Sequence, residues 1–230
     1  MKNLKTALIT GANQGIGFET ARELGAMGFT VLIGARNEDR GKKAEEELLK
    51  EGINARFVLL DVTKQYTINE AAALVNKAYG SLDILINNAG IAVEKGRQPS
   101  QLEMDDLKKT FETNFFGLFE VTKVFLPLLM KSSAGRIVNV SSGRGSFANN
   151  MKPVDKSLNA LAYNSSKAAV NMLTLTFSKE LEGSKIKINS AAPGYTITAL
   201  NDFKGLKTAK QAAHIIIKLA TLEENGTVPW

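Results

Sequence analysis

Six short apolar runs punctuate the chain, and the stretches between them carry apolar positions at helical spacing. Residues 5–10 (KTALIT), 30–35 (TVLIGA), 55–60 (ARFVLL), 82–87 (LDILIN), 136–141 (RIVNVS) and 186–190 (IKINS) read as strands. Most are apolar on both faces, which is the pattern of strands covered on both sides in a parallel sheet. The intervening segments predict helices over 15–27, 37–51, 63–79, 101–131, 160–181 and 209–219. Asn37 and Thr63 stand at N-cap positions, and Gly52 and Gly80 at helix stops. Within 101–131, Gly117 and Pro127 predict a bend or a split. The alternation predicts an α/β fold, a doubly wound parallel sheet of six or seven strands with right-handed crossovers and helices on both faces. A seventh strand would have to come from Gly226-Thr227-Val228, the strand-like triplet after Leu219. No composition shift, linker, repeat or low-complexity tract divides the chain, so residues 1–230 are expected to form one domain.

Composition narrows the chemistry. Apolar residues make up 44% and charged residues 23% of 230, enough apolar surface to offset chain entropy and form a core. Cysteine is absent, which excludes disulfides, thiolate metal sites and cysteine nucleophiles. The single histidine, His214, excludes multi-histidine metal centres, and no metal is expected. His214 lies away from every motif described below and reads as structural.

The balance of 29 basic against 23 acidic residues gives a net charge of +6. Lys42-Lys43 and Lys108-Lys109 are interleaved with Glu45, Glu46, Glu47, Asp105 and Asp106, the pattern of solvated helix faces rather than of a nucleic-acid surface. The excess suits an anionic small molecule. No run of 18 apolar residues predicts a membrane span. The opening MKNLKTALITGANQG lacks the long apolar segment and cleavage site of a signal peptide. A cytoplasmic protein is expected.

The candidate chemistry begins with Gly11, Asn13, Gln14, Gly15, Ile16 and Gly17, which follow the first strand and open the first helix. Glycines let the backbone turn tightly and approach a ligand, and the helix N-terminus offers free N–H groups to an anion. The spacing is G-x-x-x-G-x-G. Further along come Asn87-Asn88-Ala89-Gly90 after the fourth strand, Ser142 after the fifth, Tyr163-x-x-x-Lys167 on a helix, and Pro193-Gly194 after the sixth. In this order and strand context the motifs resemble the short-chain dehydrogenase/reductase family over about residues 5–219. The resemblance implies a Rossmann-like sheet, a nicotinamide cofactor and no metal. It implies cofactor contacts at Asn88, Ala89, Gly90, Pro193, Gly194, Thr196 and Thr198, and an adenine contact at Asp61-Val62.

Tyr163 and Lys167 are four apart and share a helix face. A tyrosine of ordinary pKa, about 10, is a poor acid or base at neutral pH. An ammonium near 4 Å would favour its ionisation by about 4 kcal/mol at an effective dielectric of ~20, with burial opposing. The resemblance makes Tyr163 the proton donor, has Lys167 hold ribose and lower the tyrosine pKa, and has Ser142 hold the substrate oxygen. Ser141 is the neighbouring candidate, and strand alternation allows only one of the two to face the ligand. Asn114 interrupts an apolar helical stretch. It reads either as part of a kink near Gly117 or, by resemblance, as the asparagine of a proton relay to the lysine.

The tip of the second strand decides the nucleotide. NAD-specific proteins usually carry an acid there, whereas this chain has Ala35-Arg36 and then Arg40. Arg36, with Arg40, can bind a 2′-phosphate, so NADP(H) is expected. Arg40 also reads as the start of a charged helix face. Gln14 departs from NADP-preferring relatives, which often have a basic residue there. Ser142 and Tyr163 are 21 residues apart, longer than in many relatives. A similar insertion occurs in the carbonyl-reductase branch, which shares Ala35-Arg36. The extra segment, residues 147–160, can obstruct the surface through which relatives associate, so a monomer is favoured, with a homo-oligomer as the alternative. The short stretch from 195 to 207 predicts a small lid. The expected activity is NADPH-dependent reduction of a small-molecule carbonyl, or the reverse on an alcohol. The alternative is a dinucleotide-sensing or interaction protein with little turnover.

Overall fold

The computed structural model describes residues 5–94, 97–151 and 160–222. The strands are β1 (Thr6–Thr10), β2 (Thr30–Ala35), β3 (Ala55–Leu59), β4 (Ile84–Asn87), β5 (Arg136–Val140) and β6 (Lys187–Ala191). They form one sheet in the order β3-β2-β1-β4-β5-β6, with every neighbouring pair parallel. The order reverses between β1 and β4, and in such sheets ligands bind outside the carboxyl ends of the strands at that point. This is the doubly wound, Rossmann-like fold that the strand pattern predicts. The seventh-strand triplet at 226–228 lies outside the described residues.

Side-chain alternation along the strands divides the core into two layers. Ala7, Ile9 and Ile33 pack on one face with Leu24, Leu48 and Ile216. These come from α1 (Gly15–Ala26), α2 (Glu38–Lys50) and α8 (Ala209–Thr221). Leu8, Leu32 and Leu85 point the other way, onto Val75, Val121 and Phe125 of α3 (Gln65–Tyr79) and α5 (Gly117–Leu129). Full burial of each leucine, isoleucine, valine or phenylalanine among them is worth roughly 1.5–3 kcal/mol.

Three local readings change. Asn37 caps α2 as expected, accepting from Arg40 N, but Thr63 does not cap α3. Its N–H and hydroxyl both donate to Asp61 Oδ1, at 3.0 and 2.8 Å. This tight turn delays the helix to Gln65, with Lys64 at the N-cap. The stretch 101–131 does split, but upstream of both expected breakers. A 3-10 turn (Pro99–Gln101) and α4 (Met104–Phe111) lead into a π-helical turn, Glu112–Phe116, and then α5. Pro127 stays inside α5. Gly117 is needed for close approach, since a Cβ there would lie 2.6 Å from the carbonyl oxygen of Val62.

Candidate active site

A cleft of about 1820 Å³ opens over the carboxyl ends of β1, β4 and β5. The turn between β1 and α1 forms its floor. Gly11 and Gly15 have φ of +65° and +60°, where residues with a Cβ are strained. At Gly17 a Cβ would come within 2.5 Å of Asn88 Nδ2 and 2.7 Å of the Gly11 carbonyl oxygen. Helix α1 starts at Gly15 with no side-chain cap and no acid in its first turn, so its positive end is left for an anion. This cradle fits the pyrophosphate of a dinucleotide.

The loop after β4 is fastened to that turn. Asn88 N and Ala89 N both donate to Thr10 Oγ1 at 3.0 Å, and Asn88 Nδ2 donates to the Thr10 carbonyl at 2.9 Å. Thr10 heads the glycine motif in the sequence, but nothing local marks this fastening role, because threonine at a strand end is unexceptional; its partners lie 78 and 79 residues away.

Asn13, Gln14, Ile16, Arg36, Asp61, Val62, Ala89, Gly90, Pro193, Gly194, Thr196 and Thr198 also line the cleft. Arg36 is exposed just beyond β2. Arg40 stands apart from the lining, on the first turn of α2. It belongs to the helix face, and only Arg36 of the pair reaches the cleft. The lid is a small closed loop. Thr196 bridges Lys207, the Ile197 N–H donates to the Lys207 carbonyl at 2.9 Å, and Ala199–Asn201 makes one 3-10 turn. Its Thr198 would be met by a Cβ on Gly15 at 3.7 Å, so the lid crosses above the glycine turn.

The opposite wall carries Ser142, Tyr163 and Lys167. A short 3-10 turn (Gly143–Gly145) and α6 (Phe147–Asn150) follow Ser142, and α7 (Leu161–Glu180) carries the other two. Expected residues 152–159 of the insertion lie outside the described residues. Ser141 is buried and donates to the Lys167 carbonyl at 3.2 Å, whereas Ser142 lines the cleft, accepts from Arg144 N at 3.2 Å and favours the ionised form of the Tyr163 phenol. The two hydroxyls thus point apart, and Ser142 is the one turned to the tyrosine.

Burial pushes the Tyr163 phenol up from its ordinary value, with Ser142 and the Arg144 charge pulling the other way. Lys167 Nζ is 5.7 Å from the ring centroid and donates to the Val140 carbonyl at 2.8 Å. Burial pushes Lys167 itself down to about 8.

Asn114 lies in the π turn, fully buried behind the cleft wall. Its Oδ1 accepts from Ile91 N at 2.8 Å, and its Nδ2 donates to the Ile91 carbonyl at 2.9 Å and to Ser166 Oγ at 3.0 Å. The extra residue of a π turn, common at functional sites, accompanies this inward asparagine. Asn114 and Lys167 flank Gly90, where a Cβ would stand 3.5 Å from both Oδ1 and Nζ.

Glu94 escaped the sequence reading. It is buried, and it accepts from Ala162 N at 2.8 Å and Tyr163 N at 2.7 Å. The available signals were a lone acid after the apolar run Ile91–Val93 and a helix, α7, whose N-cap is Ala160. His214 is exposed on α8, outside the cleft. Among the described residues, no helix is long and apolar enough to cross a membrane.

Comparison with known proteins agrees with this geometry. Residues 5–208 match the short chain dehydrogenase family. A short-chain dehydrogenase of Penicillium roqueforti is 37% identical over 93% of this chain and 87% of its own. Carbonyl reductase [NADPH] 1 of Mus musculus is 31% identical over 97% of this chain and 93% of its own. The crystal structure of NADPH-bound carbonyl reductase from chicken fatty liver superposes with a TM-score of 0.84 at 28% identity, covering 95% of this chain and 92% of that one. With its sheet order, its glycine turn and its serine, tyrosine and lysine on one cleft, the chain belongs to the short-chain dehydrogenase family of oxidoreductases.

Proposed function

We propose that the protein is an NADPH-dependent carbonyl reductase acting on a ketone, aldehyde or quinone, as one domain over residues 1–230. The observation that carries this reading is the gathering of Ser142, Tyr163 and Lys167 on the wall of the same cleft that holds the glycine cradle. The names of the mouse and chicken proteins, both tied to NADPH, support the carbonyl class and the nucleotide. When bound, the nicotinamide supplies the hydride.

The residues of the chain do the rest. Ser142 holds the carbonyl oxygen, and Tyr163, kept protonated by its raised pKa, donates the phenolic proton to that oxygen. Lys167 holds the ribose, and Arg36 binds the 2′-phosphate as a charge-assisted donor. Asn114 keeps Ile91, and with it the loop beside Gly90, in place. Ile91, Val93, Phe147, Leu161, Tyr195 and Leu200 border the outer cleft, a lining suited to a substrate with an apolar body. The protein works in the cytoplasm as a monomer, without nucleic-acid or membrane partners.

The test is steady-state NADPH oxidation over a panel of ketones, aldehydes and quinones, with NADH in a parallel arm. Carbonyl-dependent loss of NADPH is expected. Tight nucleotide binding with no turnover on any carbonyl would favour the sensing alternative.

A further inference from the structure

The carboxylate of Glu94 is 2% exposed, and a buried charge persists only where its oxygens find partners. Here each oxygen takes one backbone N–H from the first turn of α7, Oε2 from Ala162 and Oε1 from Tyr163. The positive end of the helix favours the charge. A cap usually comes from the residue preceding its own helix. This one comes from the loop after β4, 68 and 69 residues away in sequence.

That loop is itself held twice more. Asn88 bonds to Thr10 and Gly11 beside the glycine cradle, and Ile91 is gripped at both backbone atoms by Asn114. A local cap would stabilise α7 yet leave its N-terminus free to shift against the cleft. Glu94 instead ties the backbone of Tyr163 to the wall that carries Gly90 and Ile91.

We propose that Glu94 is a positioning residue for the proton donor, its carboxylate fixing the Tyr163 main chain so that the phenol meets Ser142 and the substrate oxygen. The inference rests on the reading of Tyr163 as that donor. Proton transfer needs a heavy-atom approach of about 2.6–3.2 Å, so a small displacement of the first turn of α7 weakens it. In Glu94→Gln the side chain keeps its size and one acceptor. Its NH2 then confronts a backbone N–H, donor against donor, and that turn has to move.

The experiment compares wild type, E94Q and Tyr163→Phe in kcat, KM, NADPH dissociation constant by fluorescence titration, and the solvent deuterium isotope effect on kcat. For E94Q, kcat should fall about tenfold or more, since misplacement by ~1 Å can cost up to about a hundredfold. The NADPH dissociation constant should stay within about twofold, because the glycine cradle is untouched. The isotope effect on kcat should rise as proton transfer becomes the slow step. Suppose E94Q matches wild type in kcat and isotope effect while Tyr163→Phe has lost turnover. Glu94 is then only a structural cap, even if E94Q melts earlier, and the proposal is overturned with the role of Tyr163 intact. If Tyr163→Phe stays active, the reading of Tyr163 fails and the role of Glu94 falls with it. Should E94Q not fold, Glu94→Asp withdraws the carboxylate by one methylene and keeps its charge, and the same two readouts decide.

Discussion

Lys167 Nζ donates to the carbonyl oxygen of Val140 at 2.8 Å while standing 5.7 Å from the centre of the Tyr163 ring. The last residue of β5 therefore anchors the ammonium, and the tyrosine feels its charge only at a distance. One neutral carbonyl is a weak counterpart for a cation that is 3% exposed, so desolvation dominates and the folded-state pKa drops to about 8.

This shift sets a pH signature of stability. The folded pKa lies below the unfolded value of 10.5, so between about 8 and 10.5 the unfolded chain binds more protons and stability rises with pH. The penalty for burying the charge is fully present below about pH 8 and is relieved above it. Urea unfolding of wild type against Lys167→Met from pH 8 to 10 should isolate a slope approaching about 1.4 kcal/mol per pH unit at most. Parallel pH profiles for the two proteins would show that Lys167 does not titrate in this window.

Gly17 is where the cradle is tightest. A Cβ there meets Asn88 Nδ2 and the Gly11 carbonyl oxygen at once. Asn88 cannot yield without breaking its bonds to Thr10 and Gly11. Gly17→Ala should cost about 1–3 kcal/mol of stability, as overpacking does. It should also abolish most of the rise in melting temperature that NADPH gives wild type. Calorimetric scans with and without nucleotide would decide; an undiminished NADPH shift would rule out the cradle as the pyrophosphate site.

Arg36 should govern nucleotide choice. Ala35 ends β2, and Arg36 is exposed at the cleft immediately after it. A charge-assisted bond is worth about 1.5–3 kcal/mol, or roughly 10–150-fold in affinity. NADPH should bind at least about tenfold more tightly than NADH, and Arg36→Ala should erase most of that gap. Arg40→Ala should change it far less, because Arg40 sits on the helix face. Titration of both nucleotides into the three proteins checks this, and equal affinities in wild type would overturn it.

The strands and the glycine turn were legible because their signals are local. The run TVLIGA is β2 to the residue, and Gly80 ends α3 in the left-handed conformation, φ +77°. What the sequence hid depends on contacts across the fold. Thr63 was drawn into a turn by Asp61. The π turn at Asn114 answers to Ile91, 23 residues away. Burial raises the Tyr163 pKa against the pull of Ser142 and Arg144, a balance that spacing alone could not reveal. Glu94 caps a helix from another part of the chain, which leaves no motif to read.

Tyr163→Phe tests the chemistry most directly. The substitution keeps the ring in its place on α7 and removes the hydroxyl beside Ser142. An interaction used mainly in the transition state affects kcat and leaves ground-state binding nearly intact. NADPH affinity should therefore be unchanged. Turnover should fall by about 10²–10⁴-fold or more, the ordinary contribution of general acid catalysis. Ser142→Ala should lower turnover with the nucleotide still bound. Lys167→Ala should weaken nucleotide binding as well, because the ammonium serves the ribose. NADPH oxidation with an activated carbonyl, beside fluorescence titration of each variant, separates these effects. Retention of more than about a tenth of wild-type turnover by Tyr163→Phe is more than removal of a general acid should leave behind, and would place the proton donor elsewhere.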